Sequence, residues 1–327
     1  MLKCKRSQTL IPLLLLQINF PFLFSNSANK TMNKKHIFKF VILLIFLTTF
    51  SLVAFSQDSK QSNNLLKQTK FKTETLKFGS GGTISVVGAP IGSIQIEGWN
   101  KNQVEISAEI EVQAENQENL AILAEVCGFV IDDSMQVLRI ISVGTNDKQY
   151  LKSVSKNFPK KLIGVPYKVN YKLKIPYFSD LEIDGGRGDF NLSNVEGTMR
   201  IKYLESNAKL NLIGGTIQAT IGLGDVDVTI ATRSWRGRFA EIQVAQGNLN
   251  VWLPNNLDAN LTAKVLRTGK IENSYELLEP VERTKFTEMS MTAKAGNGGA
   301  NLSFTVGDGM LKIDDFEKPA KLIARQK

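Results

Sequence analysis

The chain has 327 residues, 43% of them hydrophobic, and 40 Lys and Arg against 31 Asp and Glu give a formal charge of +9. The excess is local: residues 1–56 hold seven Lys or Arg and no acid, so the remainder carries 33 basic against 31 acidic residues. That balance excludes nucleic-acid binding by a general basic field. The only histidine, His36, and one of the two cysteines, Cys4, lie in the same N-terminal stretch.

Residues 32–56, MNKKHIFKFVILLIFLTTFSLVAFS, have the layout of a bacterial signal peptide. Lys34, Lys35 and Lys39 precede an apolar run over 40–55, and Ala54-Phe55-Ser56 puts small residues at the two positions a signal peptidase reads. The expectation is export to the periplasm, outer surface or medium, with cleavage before Gln57. An uncleaved leader would be the one membrane attachment, and its apolar run is short for a span. Residues 1–31 repeat the pattern weakly, with Lys3, Lys5 and Arg6 before an apolar stretch. Two tandem leaders serve no purpose, so translation from Met32 is expected, with 1–31 a wrongly assigned extension. Past the leader Cys127 is the one cysteine, which rules out an intramolecular disulfide.

Residues 57–72 are polar and aperiodic and are expected to form a flexible tether. From residue 73 to 178 a β-rich region with one α-helix is expected. Ile94 and Ile96 flank Gln95, a turn follows at 98–102, and Val104, Ile106, Ala108, Ile110 and Val112 alternate strictly with polar residues. That period of two marks a strand with one buried face. Leu120, Leu123, Ala124 and Cys127 fall at helical spacing over 115–127, with Glu115 and Glu118 toward the N-terminal end and Gly128 as the expected C-terminal cap. Cys127 falls on the apolar face, as a buried structural thiol. Strands are expected over 135–143 and 167–175, the second alternating Tyr167, Val169, Tyr171, Leu173 and Ile175 with Lys168, Asn170, Lys172 and Lys174. Its polar face is basic while that of 104–112 is acidic, which predicts that the two lie in one sheet with their charged faces on the same side.

From 179 to 313 short strands recur at intervals near 20 residues. Phe190-Asn191-Leu192, Leu210-Asn211-Leu212, Val226-Asp227-Val228 and Leu249-Asn250-Val251 each follow a Gly- or Asn-containing turn. A second set, Met199-Arg200-Ile201, Ile217-Gln218-Ala219 and Ile242-Gln243-Val244, is interleaved. Units too short to bury a face alone are expected to stack as a β-helix-like solenoid, with an up-and-down sandwich as the alternative. A last strand pair flanks the Gly-rich turn at 295–299, and the charged tail 314–327 is expected to be loose. The fold class is thus all-β.

In order, these segments resemble the bacterial putative-adhesin family, also called DUF4097 or LiaG-like. The resemblance is carried by Gly92-Ser93-Ile94-Gln95-Ile96-Glu97-Gly98-Trp99 with the 104–112 strand and the helix, by Lys172-Leu173-Lys174-Ile175-Pro176, by the repeats opening at Gly188, Gly224 and Gly247, and by 297–313. It spans about residues 80–313 and implies a β-helix-like body in the cell envelope. Arg233-Ser234-Trp235-Arg236-Gly237-Arg238-Phe239 departs from the family's ladder.

Serine triads need a His base, thiol enzymes need Cys with His, and zinc sites usually draw on several His or Cys; past its leader the chain has no His and a single Cys. No catalytic residue, metal ligand or cofactor is assigned, and the protein is expected not to be an enzyme. Ser153/Lys156 and Ser206/Lys209 have Ser-x-x-Lys spacing without the companion motifs. A carboxylate-based carbohydrate-active enzyme is the catalytic alternative. Arg200-Ile201-Lys202 is similar to a polygalacturonase segment, and Asp132-Asp133 and Asp225/Asp227 are loose acid pairs. Gly185-Gly186-Arg187-Gly188-Asp189 approaches a calcium nonapeptide, but Phe190 stands where an Asp is needed; with Asp184, Asp225 and Asp227 it reads better as turn chemistry, as does its Arg-Gly-Asp. The ligand-binding candidates are Arg233, Trp235, Arg236 and Arg238, suited to an anionic envelope glycan or a protein partner. The opposing reading buries Trp235 and leaves the arginines to solvent. An exported, non-catalytic envelope module is expected, with an envelope-stress or membrane-complex accessory as the other non-enzymatic reading.

Overall fold

The computed structural model describes residues 65–155, 157–231, 235, 237, 239–281 and 283–316. Both leader segments, the first part of the tether and the end of the tail lie outside these residues, as do Arg233, Arg236 and Arg238. Among the described residues no helix is long and apolar enough to cross a membrane.

Two large mixed sheets make up the structure, neither closed on itself. With strands numbered along the chain, the ten-stranded sheet runs β1 (Leu66–Lys77), β4 (Gln103–Ala114), β7 (Tyr167–Pro176), β3 (Ile94–Trp99), β9 (Phe190–Ser193), β11 (Ala208–Leu212), β13 (Val226–Ile230), β15 (Leu249–Leu253), β21 (Leu311–Asp315) and β17 (Ile271–Asn273). The eleven-stranded sheet runs β18 (Leu278–Pro280), β19 (Ser290–Ala295), β16 (Ala259–Thr268), β20 (Asn301–Asp308), β14 (Phe239–Gln246), β12 (Thr216–Leu223), β10 (Thr198–Glu205), β8 (Asp180–Arg187), β2 (Thr83–Val87), β6 (Val137–Val143) and β5 (Gly128–Ser134).

The two interleaved sets of short strands belong to different sheets. Within each sheet the successive copies pair in parallel, β9 with β11, β13 and β15 in turn, and β8 with β10, β12 and β14. Parallel neighbours cannot be joined by tight hairpins, so an up-and-down arrangement is ruled out for this part. Register stacks like on like: Ile94, Phe190, Ala208, Val226, Leu249 and Leu311 are partners across one sheet, and Ile84, Leu181, Met199, Ile217, Ala240 and Leu302 across the other. All are buried in one core. At the corner after the longer strands, Gly224, Gly247 and Gly309 have φ between +128° and +139°. A Cβ on Gly247 would lie 2.0 Å from the Gly224 carbonyl oxygen, so the stack of turns demands glycine here.

The predicted pairing of acidic and basic strands is what the structure contains. β4 and β7 are antiparallel, with Glu105 opposite Lys174 and Glu111 opposite Lys168. Several expectations need correction. β1 takes in residues 66–72, which the polar composition assigned to the tether. The sheets run across residue 178, with β2 paired to β8 and β3 to β9. Among the described residues there are two α-helices, α1 (Gln117–Val126) and α2 (Lys148–Val154), where one was expected. Gly128 opens β5 instead of capping α1, which ends on Cys127 in extended conformation. Strands β19 and β20 do not pair with each other, since β16 lies between them. The tail is strand as far as Asp315.

Helix α1 starts on Asn116, whose side chain accepts the Asn119 N–H at 2.9 Å, and it ends near Lys70 Nζ, 2.8 Å from the Ala124 carbonyl. A cation there satisfies carbonyls left free at the helix terminus. The sheets meet through Phe190 on Tyr203 at 5.2 Å, Phe129 on Tyr171 at 5.8 Å, and a 2.7 Å hydrogen bond between Ser142 and the Tyr171 hydroxyl.

Candidate functional site

Every second residue of the long N-terminal strands points away from the core, and in the ten-stranded sheet these residues form rows across four or five neighbouring strands. Phe71, Glu109, Asn170 and Ser93 make one row. Thr73, Ser107, Lys172, Gln95 and Asn191 make the next. Together they line an open groove of about 370 Å³.

Its polar groups are partly pre-set. The Asn170 side-chain oxygen accepts from the Ser93 N–H at 3.0 Å and the Ser93 hydroxyl at 3.1 Å, while its amide donates to Glu109 at 3.2 Å. Phe71 is 75% exposed and is the aromatic wall of this groove. Lysines on β7 follow the strand direction. Lys168 faces Glu111, whose carboxyl is held below the usual range by the Lys67 ammonium 2.7 Å away. Lys174 faces Glu105 and Glu97. Lys172 faces Ser107 and Gln95 and has no ion pair or hydrogen bond among the described residues. At the far end of the same face Trp99 lies half-buried, its indole N–H donating to the Gln103 carbonyl, with Lys101 Nζ 4.4 Å and Lys174 Nζ 5.7 Å from its ring.

The eleven-stranded sheet carries a groove of about 340 Å³ that includes Arg200 and Lys202. Each basic residue there stands opposite an acid, Arg200 beside Glu182 and Lys202 beside Asp184, so the charge is locally balanced. This accounts for the Arg-Ile-Lys segment as an outward charge ladder.

Of the sequence candidates, Trp235 is buried, 6% exposed, and its indole N–H donates to the Gly215 carbonyl at 2.8 Å. Arg233, Arg236 and Arg238 lie outside the described residues. The aspartates serve turns and ladders: Asp225 accepts from the Asn248 backbone and side chain at 2.8 and 3.1 Å, and Asp227 accepts from Asn250 at 2.9 Å. Asp132 sits 3.7 Å from Arg139 on an exposed hairpin. Ser206 points inward while Lys209 is exposed. Among the described residues no group of three or more His, Cys, Asp or Glu could hold a metal ion. Cys127 is a buried thiol whose pKa burial pushes up to about 11. Sequence reasoning passed over Phe71, Lys172 and Trp99 as a group. The one available signal was Phe71 as the single aromatic in the mostly polar run of 66–77.

The fold and this face define an all-β protein with an open, polar, aromatic-edged outer sheet. No family model matches the chain, and no curated protein does. Among solved structures, a putative cell adhesion protein from Clostridium sporogenes is similar over 76% of this chain and 100% of its own, at 13% identity and a TM-score of 0.42. A putative adhesin from Bacteroides fragilis (10% identity, TM-score 0.29, 76% of this chain and 97% of its own) and a putative lipid binding protein from Parabacteroides distasonis (14%, 0.26, 74% and 96%) are also similar. Likeness at this level leaves function to the chain's own residues.

Proposed function

We propose that this chain is a non-catalytic binding protein of the bacterial cell envelope or surface, of the LiaG-like type, built as stacked β-coils, and that it engages its ligand with the outer face of the ten-stranded sheet. The observation that carries this is the groove with Phe71 exposed beside the hydrogen-bonded Ser93–Asn170–Glu109 row and Lys172, which pairs with no charged group among the described residues. Isolated exposed apolar residues are ordinary, but an aromatic wall beside convergent polar groups has the composition of a recognition site. The signal-peptide layout of residues 32–56 supports the envelope location.

The test is retention of the purified chain on isolated cell-envelope material, compared with its Phe71→Ala and Lys172→Glu variants. Both positions are solvent-exposed, so the variants keep the fold. Loss of retention in both supports the reading, and unchanged retention in both removes it.

The accessory reading is favoured by one feature: β1, twelve residues long, lies at the edge of its sheet. Lys67, Lys70, Lys72 and Lys77 stud that strand, however, and such edge lysines resist pairing with another chain, which weighs against docking by strand addition.

A further inference from the structure

The same face carries a more specific message about its ligand, resting on the reading above. Phe71 and Trp99 stand on one outer surface, three strands apart and six residues apart along the strand direction. Strand spacing and rise place them roughly 25 Å from each other on a diagonal. Between them lie hydroxyl, amide and carboxylate side chains with the lysines of β7, and no apolar patch.

We infer that the ligand is an extended acidic polysaccharide, lying diagonally across β1, β4, β7 and β3, stacked on Phe71 at one end and Trp99 at the other, with a sugar carboxylate on Lys172. Three features argue for this occupant. Aromatic side chains offer flat apolar surface to the C–H face of a sugar ring, and two of them at opposite ends of a polar floor suit a ligand several units long. Lys172 is the position on β7 where the facing residues are Ser107 and Gln95 instead of glutamates, so its charge is free for an anion. At the Trp99 end Lys174 is shared with Glu105 and Glu97, but Lys101, 4.4 Å from the ring and with no ion pair or hydrogen bond among the described residues, leaves a place for a second carboxylate. A lipid surface would call for a contiguous apolar patch, and a compact anion would leave one of the two aromatic ends unused.

The experiment uses sodium alginate and its size-graded fragments as probe, neutral dextran as control, and the full chain at two salt concentrations. The expected result is alginate binding that weakens with salt, no dextran binding, and affinity that rises with fragment length until both aromatic ends are spanned. Lys172→Glu should lower affinity about tenfold or more, the usual scale for a lost charge-assisted hydrogen bond. Phe71→Ala and Trp99→Phe should weaken long fragments and leave the shortest unchanged. Circular dichroism on each variant confirms that the fold is kept. Failure of alginate to bind, while envelope retention persists and depends on Lys172, overturns the ligand class alone. Binding of anionic phosphatidylglycerol vesicles in place of alginate overturns it in favour of a lipid headgroup. Loss of Lys172 dependence in both assays overturns the site.

Discussion

The Tyr203 ring lies directly over Gly185 in the adjacent parallel strand, so a methyl group added at Gly185 would sit 2.3 Å from the ring carbons. The backbone at Gly185 is not left-handed, and the requirement for glycine is therefore steric. Gly185→Ala is expected to destabilise the fold by about 1–3 kcal/mol in urea unfolding, the scale for overpacking a core. Adding Tyr203→Leu should recover part of that loss, because the two side chains compete for one space. Additive losses in the double variant would refute the relationship.

Tyr203 also carries a buried hydroxyl with no hydrogen-bond partner among the described residues. Burial, with the nearby Asp189 charge, raises its pKa above the ordinary tyrosine value. Removing an unsatisfied polar atom relieves a desolvation penalty. Tyr203→Phe should leave stability unchanged or raise it by up to about 1 kcal/mol. A clear drop in the urea midpoint would show that the hydroxyl has a partner, such as ordered water.

How much of this was legible in the sequence depended on whether a residue's neighbour was local. Strict alternation exposed β4 and β7, and the opposite charges of their outer faces were enough to pair them. Recurring short strands separated into two interleaved sets, which are the two sheets. β1 was hidden because an edge strand has little to bury: its inward positions Lys70, Lys72 and Glu74 are polar. α2 was hidden because it is seven residues long and buries only Leu151. The groove was beyond reach for another reason. Phe71, Glu109 and Asn170 are brought into one row by registers between strands distant in sequence, and alternation within a strand does not fix them.

The corner glycines give a sharper test of the stacked turns. Gly247 has φ +136°, and its added Cβ would meet the Gly224 carbonyl oxygen at 2.0 Å. Strain and clash act together there, so Gly247→Ala should destabilise by at least about 2 kcal/mol. Gly79 has nothing within 4 Å and no left-handed φ, so Gly79→Ala should be neutral within about 0.5 kcal/mol. Equal effects at both positions in thermal or urea unfolding would contradict the geometry.

Cys127 links burial to pH. Burial raises its pKa to about 11 from 9.0, against smaller opposing effects from a hydrogen bond to the Thr145 backbone and the charge of Lys70. As pH rises the unfolded chain therefore loses this proton first. The stabilising contribution is fully present below pH 9 and is lost between pH 9 and 11, on the order of 2 kcal/mol. A Cys127→Ala variant should show a shallower fall in stability over that interval, although cavity formation lowers its stability at every pH. The buried tyrosines have raised pKa values too and destabilise the fold in the same direction at higher pH, so the thiol's share is the part that begins near pH 9.

Trp235 is where a binding role and a packing role make opposite predictions. Its ring is in the core cluster and its indole N–H is satisfied by Gly215. Trp235→Ala should therefore cost about 3–5 kcal/mol, and Trp235→Phe about 1–2 kcal/mol through the lost hydrogen bond and the unpaired carbonyl. Neither loss requires any ligand to be present. At a temperature where Trp235→Phe remains folded, its retention on envelope material should match that of the unsubstituted chain, while Lys172→Glu loses retention with no drop in melting temperature. If instead Trp235→Phe kept its melting temperature and lost retention, the arginine-rich segment around residue 235 would be the binding surface, and the outer face of the ten-stranded sheet would not.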